Sequence, residues 1–322
     1  MSFKILLENQ IKLKNETNSK RKIVIIDGDD QRAVDAANLL VQSKLITPVL
    51  LVDKLHKNIS DEIIQEVMSD DKKEKFGELF FELRKGKETL ENAKKALQTK
   101  PFYAMMMLKN KEVDGVVGGL NFTTSDILRA AFKVIGPMPG VKTISSAMIM
   151  HKNEEKLIFS DISVNIKPTS DQLAEIGFNA ELFAKSLGLD PKVAFLSFST
   201  DGSAKSEETK TVVAAFEKYK TLSSNSNVIG EVQFDAAYIE KVKKDKYKKP
   251  SFEGSANVFV FPTLDAGNIG YKIAQRMGGY GAIGPIITGV GAPVNDLSRG
   301  ATVEDVYNTI LITTLQTFKE EK

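Results

Sequence analysis

Within Pro293–Asn308, read as PVNDLSRGATVEDVYN, a serine, an arginine and an acid stand close together at Ser298, Arg299 and Asp305. A hydroxyl, a guanidinium and a carboxylate hold anions and move protons, so this grouping could serve group-transfer chemistry. The same letters also spell a helix start. Thr302 and Asp305 form a Thr-x-x-acid capping box, Gly300 relaxes the approach, and the helical period runs on through Tyr307 and Ile310. On this stretch alone both readings stay open.

The residue types missing from the chain narrow the chemistry available. Its 322 residues include no cysteine, which removes a thiol nucleophile, disulfides and thiolate metal sites. The two histidines, His56 in KLHKN and His151 in MHKNEE, sit in polar stretches without an H-E-x-x-H or H-x-x-E-H pattern and read as surface residues. Catalysis would then rest on carboxylates, hydroxyls, Arg, Lys and backbone amides. A net charge of +2 argues against a strongly basic nucleic-acid binder, and the basic KVKKDKYKK at Lys241–Lys249 reads as a solvated face. Charges interrupt the apolar residues of MSFKILLENQIKLKNE, and no run of about 18 apolar residues occurs. The expectation is a cytoplasmic protein with no membrane or nucleic-acid partner, and the lack of cysteine agrees with it.

Such groups need a scaffold to position them. KIVIIDGDDQRAVDAANLL reads as strand, turn and helix, and ITPVLLVD follows as the next strand. EVDGVVGGLNFTTSDILRAAFKVI, KVAFLSFSTDGSAKSEETKTVVAAFEKY and NVFVFPTLDAGNIGYKIAQRMGG repeat the alternation. This predicts α/β architecture with mainly parallel sheets, whose ligands collect at the carboxyl ends of the strands. TISSAMIMHKNEEKLIFSDISVN predicts a hairpin, and GPMPGVK (136–142) a hinge. GYGAIG (279–284) matches G-x-G-x-x-G literally, but it follows a helical segment and runs into Pro285, so it is no dinucleotide fingerprint. NFTTSD (121–126), FSTDGSAK (198–205) and DAGNIG (265–270) combine hydroxyls and glycines at expected helix starts, where amides and the helix dipole suit phosphate; capping is the commoner reason for each alone, and their joint occurrence at strand ends points to an anion-binding cleft. Arg129 and Arg84 could add bidentate phosphate contacts, or form surface ion pairs.

DGVVGGLNFTTSDILRAA, VAFLSFSTDGSAK, GEVQFDAAY, NVFVFPTLDAGNIGYKIAQRMGG and PVNDLSRGATVEDVYN together resemble the successive signature blocks of the phosphate acetyltransferase (phosphotransacetylase) family. The likeness is specific from ELRKGKE onward and loose over residues 1–75. NDLSRG followed by VED, with LSFST-x-GSA, favours the acetyl members over the butyryl ones. The resemblance implies two α/β domains of the isocitrate/isopropylmalate dehydrogenase-like type, with the active site in the cleft between them. Residues 1–142 and 301–322 would form the first domain and 143–300 the second. It also implies a homodimer that transfers acetyl between coenzyme A and phosphate (acetyl-CoA plus phosphate giving acetyl phosphate plus CoA), with no permanently bound cofactor and no metal.

By match to the family motif, Asp305 would be the base for the CoA thiol, Ser298 would hydrogen-bond the sulfur, and Arg299 would hold the phosphoryl group and the oxyanion. Arg84, Arg129, Thr124, Ser199, Thr200, Gly202, Ser203 and Asn268 would bind substrate. Proton transfer from a thiol at about 8.5 to an ordinary aspartate at about 3.9 is uphill by about 6 kcal/mol. It must therefore accompany carbon–sulfur bond formation. Three departures stand out: Ile162 replaces a frequent cysteine, Asn165-Ile166-Lys167-Pro168-Thr169 lacks a first proline, and Asp201 replaces a frequent lysine. The rivals are a two-domain dehydrogenase, a noncatalytic binder of CoA or acyl phosphate, and a transferase for longer acyl chains.

Overall fold

Each strand–turn–helix segment of the sequence becomes a unit of the computed structural model, which describes residues 3–318. The chain runs α1 (Phe3–Asn15), β1 (Lys22–Ile25), α2 (Gln31–Ser43), β2 (Thr47–Val52), β3 (Ile64–Val67), α3 (Asp70–Arg84), α4 (Leu90–Ala96), α5 (Lys100–Lys109), β4 (Gly115–Gly118) and α6 (Thr124–Val134). It continues through β5 (Ser145–Lys152), β6 (Glu155–Ser160), α7 (Ser170–Ser186), β7 (Val193–Leu196), α8 (Glu207–Leu222), β8 (Val228–Val232), α9 (Phe234–Tyr238), α10 (Glu240–Lys246), β9 (Val258–Val260), α11 (Leu264–Arg276) and β10 (Gly281–Thr288). It ends with β11 (Val294–Asp296) and α12 (Val303–Thr317).

Contacts divide these elements into two compact units, a flanking one of residues 3–138 with 290–318 and a central one of 139–289. Residues 290–300, expected with the central part, belong to the flanking unit because β11 pairs in parallel with β4, and residues 139–142, expected with the flanking part, belong to the central unit. The ends of the expected first domain, residues 1–2 and 319–322, lie outside the described residues.

The flanking sheet is parallel throughout, in the order β11-β4-β1-β2-β3. β4 is buried along its whole length and β1 beyond its first residue, as helices on both faces require. Val24, Ile26, Val116, Tyr103, Phe76 and Phe80 build one core, each large apolar side chain contributing about 1.5–3 kcal/mol. The central sheet runs β10-β5-β6-β9-β7-β8; the expected hairpin β5–β6 and strand β10 are antiparallel, the remainder parallel. Phe159, Phe259, Ile229 and Ala194 anchor its core.

Two local expectations change and one holds. GYGAIG runs into a strand, β10, and opens no helix, in keeping with its not being a dinucleotide fingerprint. Lys243 is 2% exposed and donates to the carbonyls of Phe252 and Gly254, and Tyr247 is buried beside it, so the basic segment is not one solvated face. Neither histidine is fully exposed: His56 Nε2 lies 3.2 Å from the Gly28 carbonyl, and His151 is half-buried on β5, where burial lowers its pKa.

Candidate active site

Parallel pairing brings the loops after β1, β4 and β11 to one edge of the flanking sheet. Leu297 N–H donates to the Gly118 carbonyl at 2.7 Å, which starts the turn carrying Ser298 and Arg299. Ala301 N–H returns to the Ser298 carbonyl at 2.9 Å, and Gly300 N–H reaches the Ser298 hydroxyl at 3.3 Å. The Ser298 and Arg299 side chains are exposed.

Arg32, which the sequence reading passed over, braces that turn. Its Nη1 donates to the carbonyls of Arg299 and Ala301 at 2.8 and 2.9 Å, while Nε and Nη2 grip the Asp30 carboxylate at 2.9 and 2.8 Å. The guanidinium holds the Asp30 carboxyl down to about 2. Asp30 also caps α2, accepting from Arg32 N–H. A carboxylate two residues before an arginine at a helix start was the available signal; the contact 267 residues away had none.

Asp305 occupies the capping box that its spacing predicts. Its Oδ2 accepts from Thr302 N–H and the Thr302 hydroxyl, both at 2.8 Å, and its own N–H donates to the Thr302 hydroxyl at 3.2 Å. Both cap bonds fall on Oδ2, so Oδ1 is the oxygen left for an incoming proton, and the side chain is exposed.

Helix α6 carries the nearby cations. Thr123 and Asp126 form its capping box. Arg129 Nη2 lies 3.6 Å from Asp126 Oδ1, and the Thr123 bonds, helped by Arg129 and Arg299, lower the Asp126 pKa. Arg84, at the end of α3, reaches the Lys133 carbonyl at 3.4 Å, one turn along from Arg129, and its Nε is buried without a hydrogen bond. Three of the expected arginines therefore neighbour one helix. Thr124 differs: its hydroxyl proton goes to Asp296 Oδ2 at 2.5 Å.

A hollow of about 640 Å³ in the same unit is lined by Asp27, Asp29, Asp30, Asp53 and Lys100 among others. Lys100 bridges Asp29 and Asp53. Four carboxylates give it the wrong sign for a polyanion, and none of the expected site residues lines it.

The central unit holds the remaining expected residues, in the loop after β7 and in the helix after β9. Ser199 is fully buried and donates to Glu231 Oε1 at 2.6 Å; Gly202 N–H donates to the same oxygen at 2.9 Å. Thr200 N–H binds the Ser203 hydroxyl at 3.1 Å, and the Thr200 hydroxyl accepts from Gln233 N–H at 3.0 Å. Gly202 has φ +80°, the left-handed region, which lets the turn close over Glu231. Glu231, a second residue that sequence reasoning missed, thus shapes this loop from within. The loop does not itself open a helix: Ser206 caps α8, which begins at Glu207.

Asp201, in place of the family's frequent lysine, pairs with Lys249 at 2.7 Å, so a cation still stands beside this loop. Asn268 lies inside α11, capped earlier by Thr263, and its Nδ2 holds the Ile162 carbonyl at 3.1 Å. Ile162 is 1% exposed and packs in the core, the setting of a filler rather than of a reactive side chain. Among the described residues no helix is long and apolar enough to cross a membrane, and no group of three or more His, Asp or Glu residues is placed to hold a metal.

With this geometry in place, the likeness to known proteins is extensive. Residues 6–314 match the model of a family described as phosphate acetyl/butaryl transferase. A phosphate acetyltransferase of Bacillus subtilis is 41% identical over 304 residues, 92% of this chain and 94% of that relative. The EutD phosphotransacetylase from Staphylococcus aureus superposes with a TM-score of 0.90 at 39% identity, covering 99% of this chain and 100% of that one. A phosphotransacetylase from Streptococcus pyogenes superposes with a TM-score of 0.91 at 38% identity, covering 98% and 99%. The chain belongs to the phosphate acetyl/butaryl transferase family.

Proposed function

We propose that the protein is a phosphate acetyltransferase, interconverting acetyl-CoA plus phosphate with acetyl phosphate plus CoA. The observation that carries this reading is the exposed set Ser298, Arg299 and Asp305, held on a turn and helix cap that Arg32 braces. The relatives it matches over nearly their whole length bear that activity in their names.

In the direction of acetyl-CoA synthesis, Asp305 Oδ1 takes the thiol proton as sulfur bonds to the carbonyl carbon of acetyl phosphate. The carbonyl becomes a tetrahedral oxyanion, stabilised by Arg299 and backbone amides. Collapse breaks the carbon–oxygen bond and phosphate leaves against Arg299. In reverse, a phosphate oxygen attacks acetyl-CoA, and the departing thiolate, hydrogen-bonded by Ser298, recovers its proton from Asp305. Holding both substrates together removes the need for an acyl-enzyme, and no cysteine is present to form one. Arg84 and Arg129 attract the anionic parts of the substrates. Ser199, Thr200, Gly202, Ser203 and Asn268 act chiefly by shaping their loops, because their polar groups already bond within the central unit.

The same reading makes the protein a cytoplasmic homodimer that needs neither metal nor a resident cofactor. A dimer is supported by Ile269, Ile273 and Met277, which are 57, 53 and 85% exposed at four-residue spacing along α11 and its end. An apolar hollow of about 360 Å³ between α9 and α11 adjoins that stripe. Sedimentation of the wild type and of Ile273→Asp tests it, with a monomeric variant expected. The transfer reaction is tested by initial rates of thiol release from acetyl-CoA with and without phosphate. Strictly phosphate-dependent release is expected; folded, CoA-bound protein that releases none would leave only a binding role.

A further inference from the structure

Two buried carboxylates at the edge of the flanking sheet take no part in the reading above. Asp27 and Asp296 are 3 and 4% exposed, and they lie on either side of Gly119. Asp27 is well solvated by backbone, accepting the amides of Gly119, Leu120 and Asn121 at 2.8, 3.2 and 2.8 Å. Asp296 is not. Its Oδ2 accepts the Thr124 hydroxyl, and its Oδ1 is buried without a hydrogen bond against Gly119, where an added Cβ would stand 2.4 Å from it. Gly119 meets this approach with φ +123°. Leaving a buried carboxylate oxygen unpaired is costly, so the position calls for a reason.

The place of Asp296 supplies one. It closes β11 two residues before Ser298, and its partner Thr124 opens α6, the helix that carries Asp126 and Arg129. We propose that ionised Asp296 is a positioning residue for the transfer reaction: through Thr124 it ties the Ser298–Arg299 turn to the first turn of α6, setting Arg299 against Arg129. The inference rests on the site reading above and adds to it a proton-dependent tie.

Burial pushes the Asp296 carboxyl up to about 6, the Thr124 bond opposing the rise and the charge of Asp27 adding to it. The other charges around it are engaged: Asp30 with Arg32 at the start of α2, Asp126 with Arg129 on α6, and Asp305 with Thr302 on α12. Arg299 follows on the same turn and acts on Asp126, and Glu304 stands at the start of α12. Protonation just below neutrality turns a charge-assisted bond from Thr124 into a neutral one, and the tie slackens.

The test compares wild type with Asp296→Asn from pH 5 to 8, measuring kcat and KM for acetyl-CoA alongside thermal unfolding. Asparagine still accepts the Thr124 bond but cannot titrate. The expected variant folds yet shows a KM raised about tenfold at pH 8, the difference between a charged and a neutral hydrogen bond. Its kcat/KM profile lacks the limb near pH 6 that the wild type shows. Thr124→Val should raise KM likewise, and Thr124→Ser should restore most of the loss. An Asp296→Asn enzyme with wild-type KM and an unchanged limb overturns the inference, as does activity lost only in step with lost fold. Wild-type protein that releases no thiol would fail the site reading instead. Calorimetric affinity for CoA then carries the comparison, and equal affinity of the two proteins at pH 8 overturns the inference.

Discussion

Replacing Asp296 by asparagine should make the folded state more stable as pH rises, although the residue serves the site. The magnitude follows from its carboxyl, held at about 6 in the fold against 3.8 when free. Because the folded value is raised, the native state holds the proton more tightly than the unfolded chain. Stability contributed by this residue is therefore present in acid and lost as pH climbs from the unfolded value through the folded one. At about 1.36 kcal/mol per unit, ionising buried Asp296 costs under about 1 kcal/mol at pH 4 and about 3 kcal/mol at pH 8. Asparagine removes that titration, while the exchange of an oxygen for an NH₂ shifts the whole curve by a constant. The asparagine variant should thus gain about 2–3 kcal/mol relative to wild type between pH 4 and pH 8. Asp27 shares the field, so the slope belongs to the pair. Urea unfolding of both proteins at four pH values measures it. A stability difference that does not change with pH would refute the reasoning.

Other perturbations separate chemistry from scaffolding. Asp305→Asn should cut kcat by about 10²- to 10⁴-fold, the usual worth of a general base, while the amide still accepts the Thr302 cap bonds; steady-state rates and a melting curve check both halves. Arg32→Ala should release the Arg299 and Ala301 carbonyls and raise KM for phosphate about tenfold. Arg32→Lys should not rescue it, because an ammonium cannot span both Asp30 oxygens and two carbonyls. Glu231→Ala should lower stability by about 2–3 kcal/mol in urea unfolding and open the 198–205 loop to proteolysis, since the Ser199 hydroxyl and the Gly202 amide lose their acceptor.

Much of the order of strands and helices was legible because the buried strands are short apolar runs and the helices that follow β1, β4, β7 and β9 each start at a side-chain cap. Val193–Leu196 with Ser206, and Val258–Val260 with Thr263, show the pattern directly. Where a hydroxyl-rich turn ends and its helix begins was less legible. DAGNIG reads as a turn, yet Gly267 is inside α11, admitted there because a Cβ would stand 2.2 Å from the Asp161 carbonyl. A close backbone approach across the fold leaves no trace in local spacing. The 290–300 segment was misplaced for a related reason. β11 is only three residues long, and its partner β4 lies far back in the chain.

Among the candidate site residues, the motif identified chemical types but not commitments, and commitment decides which groups can meet a ligand. Ser199, Thr200 and Thr124 carry the same kind of hydroxyl as Ser298, yet each of the three already bonds to a neighbouring element. The polar atoms that hold them, on Glu231, Gln233 and Asp296, lie tens to hundreds of residues away, so no window of sequence shows the hydroxyls as taken. Arg32 and Arg299 divide in the same way. Arg32 spends its donors on Asp30 and on two carbonyls of the turn, whereas the Arg299 side chain projects from that turn into solvent. One arginine sets the backbone so that the other can face an anion. A lysine at position 299 would keep the charge and lose the planar fork that binds phosphate in two places.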